Sequence, residues 1–179
     1  PLFDADSGEP LAVLDGASMN PFKTGASGGV AVDHLARADA ETVGIIGSGP
    51  QARGQLLATA TVRDLKAVRV YSPTEANREA FADEMTEHLD CEVTAVDTSA
   101  KAVRDVDIVI TATTADEPVF DGDQLAPGTH VTAMGQYSAS KRELDTTTIE
   151  RSTYVPDLRA RAMQDAGSFI YAVDQGVVD

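Results

Sequence analysis

The stretch ETVGIIGSGPQARGQLLATAT, residues 41–61, decides the fold. It opens with a short β-branched apolar run from Val43 to Ile46 and turns through Gly47-Ser48-Gly49-Pro50-Gln51-Ala52. It then continues as a helix carrying Leu56, Leu57 and Ala60. Strand, glycine turn and helix N-terminus in that order read as a G-x-G-x-x-A dinucleotide fingerprint. Gly47 permits the tight turn. Gly49 has no Cβ, so the backbone can approach a pyrophosphate, and Ala52 is small enough for the helix to pack close to the strand. The free N–H groups and positive dipole end of that helix would hold the phosphates. Alone, the motif also fits an ordinary strand–turn–helix; the β/α alternation around it favours the nucleotide reading.

That alternation runs to the end of the chain. Ala67–Tyr71 reads as a second strand, and Ser72-Pro73-Thr74 closes it, with Thr74 as a cap for a helix over Asn77–Leu89. Glu92–Val96 is a third strand and Ser99–Arg104 a short helix. Asp107–Ala112 is a fourth strand, apolar enough to be buried on both faces as a parallel strand should be. His130–Met134 is a fifth, Leu144–Arg151 a helix, Thr153–Val155 a sixth strand, and Leu158–Ala166 a helix leading away from the sheet. The pattern predicts an α/β fold with a doubly wound parallel (Rossmann) sheet. Upstream, Leu11–Leu14 reads as the last strand of a preceding domain, and Pro21 as the start of a helix. Gly25, Ala26, Gly28, Gly29 and Ala31 leave the first half of that helix small. This implies close approach by a neighbouring domain or ligand, or else tight packing on the sheet.

Composition narrows the partners. The net charge is −15, from 29 acidic against 14 basic residues, a balance that repels nucleic acid and anionic membranes, so neither is expected as a partner. The acids are spread along the chain, which suggests a solvated acidic surface of the kind found in salt-adapted, halophilic proteins. Cys91 is the only cysteine, which rules out an internal disulfide and a cysteine-based zinc site and fits a reducing cytoplasm. No apolar run approaches the roughly 20 residues that span a bilayer. The chain starts at Pro1 and stops inside an apolar pattern at Val177-Val178; it is read as a piece of a longer protein.

Several segments together resemble the ornithine cyclodeaminase/μ-crystallin family: DADSGEPLAVLDG (4–16), FKTGASGGVAVDHLA (22–36), VGIIGSGPQARGQ (43–55), DIVITATTADEPVF (107–120), LAPGTHVTAMG (125–135) and KRELD (141–145). VRVYS, and FA at 81–82, belong to the same set. The resemblance implies a nicotinamide-dependent enzyme, NAD(P)-linked, with a Rossmann domain beside a substrate and dimerisation domain. It further implies a homodimer and a small amino-acid or imine substrate. On this reading residues 1–20 end the substrate/dimerisation domain, 21–40 form a connecting helix, 41–157 are the NAD(P)-binding domain, and 158–179 return toward the substrate domain.

The resemblance also assigns candidate site residues. Lys23 stands where the family offers an arginine to the substrate carboxylate; lysine keeps the charge and loses the planar fork. Gly47, Gly49, Pro50, Gln51 and Ala52 would meet the pyrophosphate. NAD-preferring sites place an acid at the end of the second strand. This chain has Ser72 and Thr74 there, which permits NADP and gives a slight lean toward it, with Arg78 as a possible helper or a solvated helix residue. Thr113 and Met134 border the cofactor at the carboxyl ends of their strands. At Gly135-Gln136-Tyr137-Ser138 the family's cyclodeaminases carry an aspartate where this chain has Tyr137. A phenol, with reference pKa near 10, donates a proton more readily than it acts as a base, so imine reduction is favoured over ornithine cyclodeamination. A non-catalytic NADPH-binding protein stays open. His34, His88 and His130 read as structural, Asp145 as a helix cap, Asp157 as a turn residue, and Glu143 as half of a local ion pair with Arg142.

Overall fold

The computed structural model describes residues 1–178. The chain begins with β1 (Leu2–Phe3) and β2 (Pro10–Ala12), an antiparallel ribbon paired to no other strand. The strand expected over Leu11–Leu14 is therefore real but displaced toward Pro10. Helix α1 (Gly16–Leu35) follows, then β3 (Thr42–Ile46), α2 (Pro50–Val62), β4 (Ala67–Tyr71), α3 (Glu75–His88), β5 (Glu92–Ala95) and α4 (Ser99–Val103). The rest is β6 (Ile108–Thr111), β7 (His130–Ala133), α5 (Thr146–Glu150), α6 (Arg159–Asp165) and α7 (Gly167–Asp174).

Five parallel strands make the main sheet in the order β5–β4–β3–β6–β7. The fingerprint strand is central, and the connection reverses direction on either side of it. Alternate residues of these strands feed two cores. Val43, Ile45, Val68, Val70, Ile108 and Ile110 face Val32, Leu56, Phe81 and Met85 of α1, α2 and α3. Ile46 and Val109 face Ala102, Val103, Ile149 and Ala172 of α4, α5 and α7. With both faces covered, the strands read as nearly continuous apolar runs. Gly44 lets α4 lie directly on β3: a Cβ there would stand 2.1 Å from the Ala102 carbonyl oxygen.

Four expectations are corrected. Helix α1 begins a turn and a half before Pro21, because the Asp15 carboxylate accepts from the Ala17 N–H at 3.0 Å and caps it. Pro21 lies inside the helix, where it removes an internal hydrogen bond at a cost of about 3 kcal/mol; packing on α2 offsets that cost. The small residues of α1 serve this helix–helix contact and not the sheet. A Cβ at Gly25 would lie 2.3 Å from the Gly54 carbonyl oxygen, and one at Gly29 would lie 3.1 Å from the Ala58 methyl. Gln55, buried between the two helices, donates to the Thr24 carbonyl at 3.0 Å.

The sixth strand over Thr153–Val155 does not form. Pro156 follows at once and has no N–H to give a ladder. The side chain carries the contact instead: Tyr154 stacks on Phe169 with ring centroids 4.5 Å apart. Thr74 occupies the N-cap of α3 without a side-chain capping bond; only its carbonyl takes the N–H groups of Asn77 and Arg78, both at 3.2 Å. The sequence did not suggest α7, whose Gly167 lets the helix start against the Lys141 carbonyl.

Candidate active site

The fingerprint turn leaves β3 at the carboxyl edge of the sheet. Gly47 has φ +114°, a region costly for any other residue, and a Cβ there would stand 2.3 Å from the Ala112 carbonyl oxygen. Its N–H donates to the Tyr71 carbonyl at 2.8 Å, tying the turn to β4. Gly49 is the N-cap of α2, with no side-chain capping bond and Pro50 in the first turn. Nothing stands within 4 Å of where its Cβ would be. The N–H groups of Gln51 and Ala52 find no acceptor among the described residues, and Gln51 Oε1 is buried without a partner. Ala52 is fully buried under the turn. A helix start that offers bare N–H groups onto open space fits an anionic pyrophosphate.

Arg53, not singled out from sequence, braces this turn. Its Nη1 donates to the Ser48 carbonyl at 2.5 Å, its other nitrogens grip Glu84 at 2.6–2.9 Å, and its guanidinium lies 5.1 Å from the centre of the Phe81 ring. The hydrogen-bonded guanidinium holds the Glu84 carboxyl below the usual carboxylate range.

At the end of β4 the Ser72 hydroxyl is buried, taking the Ser48 hydroxyl at 3.0 Å and reaching the Thr74 carbonyl at 3.4 Å. Thr74 is exposed. Arg78 is not the solvated residue its helical position suggests. Its side chain is only 12% exposed, pairs with Glu75 at 3.5 Å and donates to the Ser72 carbonyl at 3.3 Å. The first acid after β4 is thus occupied by a cation. Arg78, Glu75, Glu79, Val96, Asp97 and Lys101 line an open depression of about 250 Å³ beside β5.

Beyond the last rungs of β6 and β7, the two strand ends separate. Met134 still donates to the Thr111 carbonyl at 3.0 Å. Past it, Glu143 takes over, and the reading of this residue as half of a local ion pair with Arg142 is wrong. Its side chain is fully buried and accepts from Thr111 Oγ1 at 2.8 Å, the Thr113 N–H at 2.7 Å and the Gly135 N–H at 2.6 Å. Arg142 instead pairs with Glu117 and lies over the Tyr171 ring at 4.1 Å. Thr113 spends its backbone N–H on Glu143, and its hydroxyl accepts from the Ala115 N–H at 3.1 Å. Its hydroxyl proton remains open to a ligand.

Tyr137 is 63% exposed, and its neighbours are anchored. Gln136 Oε1 accepts from the Ser168 N–H at 3.0 Å, and Ser138 bridges to Ala166. Lys141 is close by, bonded to Asp116 and to the Thr114 carbonyl; Asp116 first, then the Tyr137 phenol, hold its ammonium above the usual range. Lys23 is exposed on α1 and makes no ion pair among the described residues. The turn residues, Ser72, Thr74, Thr113, Met134 and Tyr137 all lie at or beyond the carboxyl ends of their strands, whereas Lys23 lies on α1 and no hydrogen bond joins it to Tyr137. His130 starts β7 at the opposite edge, where burial and then Arg63 push its imidazole below its usual range. Among the described residues no three His, Cys, Asp or Glu side chains gather as metal ligands.

A family model described as "Ornithine cyclodeaminase/mu-crystallin family" matches residues 1–177. A Δ1-pyrroline-2-carboxylate reductase of Bacillus cereus is 36% identical over 177 residues, covering 98% of this chain and 54% of that protein. Among solved structures, Thermococcus litoralis Δ1-pyrroline-2-carboxylate reductase with NADH and L-proline superposes with TM-score 0.95 at 38% identity. It covers 99% of this chain and 55% of its own. An archaeal alanine dehydrogenase dimer with bound NAD gives TM-score 0.89 at 30% identity, covering 98% and 54% respectively. The chain thus spans about half the length of the relatives it matches.

Proposed function

The chain belongs to the ornithine cyclodeaminase/mu-crystallin family, and from that premise we propose that it carries the cofactor half of an NAD(P)H-dependent ketimine reductase. The substrate proposed is a cyclic imine of an amino acid, of the Δ1-pyrroline-2-carboxylate type that its relatives are named for. The observation that carries the reading is Tyr137. It is an exposed phenol on an anchored loop, where the cyclodeaminase pattern has an aspartate. Bound nicotinamide supplies a hydride for the imine carbon. Tyr137 then serves as donor of the proton that the imine nitrogen needs, and Lys23 holds the substrate carboxylate as a point charge.

NADPH is proposed as at least as good a cofactor as NADH. The support is local: Ser72-Pro73-Thr74 and not a carboxylate stand at the end of β4, Glu75 is paired with Arg78, and the Thr74 hydroxyl is open. A cytoplasmic homodimer is proposed as well. The homodimer is supported by the dimeric archaeal relative and by the exposed Leu2, Phe3 and Leu11 of the β1–β2 ribbon and Val13 just after it, the part assigned to a substrate and dimerisation domain. No helix among the described residues is long and apolar enough to cross a membrane.

The test is oxidation of NADPH and NADH by the purified protein with Δ1-pyrroline-2-carboxylate. Turnover is expected, with Tyr137→Phe lowering kcat by about 100-fold and Lys23→Glu raising the imine KM steeply. Release of ammonia and proline from ornithine without net redox change would replace this reading by cyclodeamination. Tight NADPH binding without turnover would replace it by a binding role.

A further inference from the structure

We infer that Glu143 is a positioning residue for the reaction: its carboxylate sets the spacing between the loop that follows β6 and the loop that follows β7. The inference rests on the reductase reading, because those loops carry Thr113 on one side and Met134 and Tyr137 on the other. Three features single out Glu143. First, its three donors come from three places, the last residue of β6, the turn after it and the loop after β7. Parallel strands have no ladder past their ends, so here one side chain replaces it.

Second, the loops close around the carboxylate itself. A Cβ on Gly135 would stand 2.5 Å from Glu143 Cδ and 2.5 Å from the Thr113 carbonyl oxygen, so the gap is fitted to Glu143 with no room to spare. Third, the backbone that carries the carboxylate is fixed from behind. The Glu143 carbonyl accepts from the Val119 N–H at 3.0 Å, and the Leu144 N–H donates to the buried Ser168 hydroxyl of α7 at 3.1 Å. Ser168 in turn gives its N–H to Gln136, the residue before Tyr137. Glu143 and the flank of Tyr137 are thereby referred to one anchor.

The chemistry requires a carboxylate. Each oxygen receives at least one N–H or O–H, so an amide cannot replace it: whichever way glutamine turns, its NH2 faces the Thr113 N–H or the Gly135 N–H. Aspartate, one methylene shorter, can reach one loop but not both. A misplacement of about 1 Å between reacting groups costs on the order of 100-fold in rate.

The experiment compares wild-type, Glu143→Gln, Glu143→Asp, Thr111→Val and Thr111→Ser proteins. It measures NADH affinity by fluorescence, kcat and KM for imine reduction at 15 °C, and melting temperature. Glu143→Gln is expected to lower kcat by about 100-fold, more than it weakens NADH binding, and Glu143→Asp to lie between it and wild type. Thr111→Val should lose several-fold in kcat, and Thr111→Ser, which keeps the hydroxyl, should recover it. Unchanged kcat in folded Glu143→Gln, or a loss at Thr111 that serine does not restore, would overturn the positioning role. If Glu143→Gln fails to fold, the Thr111 pair decides alone. A wild-type protein that reduces no imine would instead overturn the reductase reading on which the inference rests.

Discussion

Asp107, at the foot of β6, gathers four donors on one carboxylate. They are the Glu41 N–H at 3.1 Å, the Thr42 N–H at 3.0 Å, the Thr42 hydroxyl at 2.6 Å and Arg37 Nη2 at 2.5 Å. It pins the start of β6 to the start of β3 as Glu143 pins the far end. Burial works against its charge, but the bonds from Thr42, Glu41 and Arg37 outweigh it and hold the carboxyl below the usual range. Asp107→Asn should cost about 1–3 kcal/mol at pH 7, read as a fall in melting temperature of about 5 °C. A depressed folded pKa means that the unfolded chain binds the proton more readily. The contribution is full above the ordinary carboxylate pKa near 4 and is lost as pH falls through the lower folded value. The gap between the two proteins should therefore close at acid pH; an unchanged gap at pH 3 would show that ionisation is not what the substitution removes. The same contrast governs which site residues were legible. Gly47, Gly49 and Ala52 announce themselves because a tight turn and a helix start restrict residue type locally. Glu143 does not, because a glutamate beside an arginine reads as a surface pair, and its burial is decided by Thr111 and Gly135 on other segments.

Helices α1 and α2 cross at glycines, and the crossing separates two changes that look alike in sequence. Gly25→Ala would set a methyl 2.3 Å from the Gly54 carbonyl oxygen, a backbone atom that cannot swing away. Overpacking of this kind costs about 1–3 kcal/mol, or roughly 2–10 °C in melting temperature for a domain of this size. Gly16→Ala, at the first position of the same helix, meets nothing within 4 Å and should raise stability by about 0.5–1 kcal/mol by restricting the unfolded chain. Thermal melts of the pair should move in opposite directions; a rise in both would mean that helix propensity outweighs the crossing. The strands of the main sheet were legible because burial on both faces leaves an unbroken apolar run, as in Ile108–Thr111. The N-terminus of α1 was not, since proline at residue 21 is the stronger local signal and only the tertiary contact with Gly54 shows why the helix tolerates it. Thr153–Val155 misled for a related reason: β-branched and aromatic residues suit a strand, but Tyr154 is used as a ring against Phe169.

Charge is the property of the whole molecule that no single contact reports. Ion pairs take up Arg37, Arg53, Arg63, Lys66, Arg78 and Lys101, and others besides, yet the net charge remains −15. Most carboxylates therefore face solvent and one another without a cation. We propose that the fold tolerates this charge by adaptation to salt. Folding concentrates like charges, so screening should favour the folded state: the Debye length falls from about 10 Å at 0.1 M to about 3 Å at 1 M. Exposed ion pairs weaken under the same screening, but each contributes little, about 0–1 kcal/mol, and the unpaired acids outnumber them. At pH 7, raising NaCl from 0.1 to 1 M should lift the melting temperature by about 2–8 °C, equivalent to about 1–2 kcal/mol. The control is the same titration near pH 4.4, the sequence isoelectric point, where net repulsion is gone and the gain should disappear. The whole curve will sit lower there, since His130, buried with its imidazole below its usual range, loses stability as pH falls below about 6.5. That offset is common to both salt concentrations and leaves the difference intact. An equal gain at both pH values would assign the effect to general salting-out, and a loss at pH 7 would reject the adaptation.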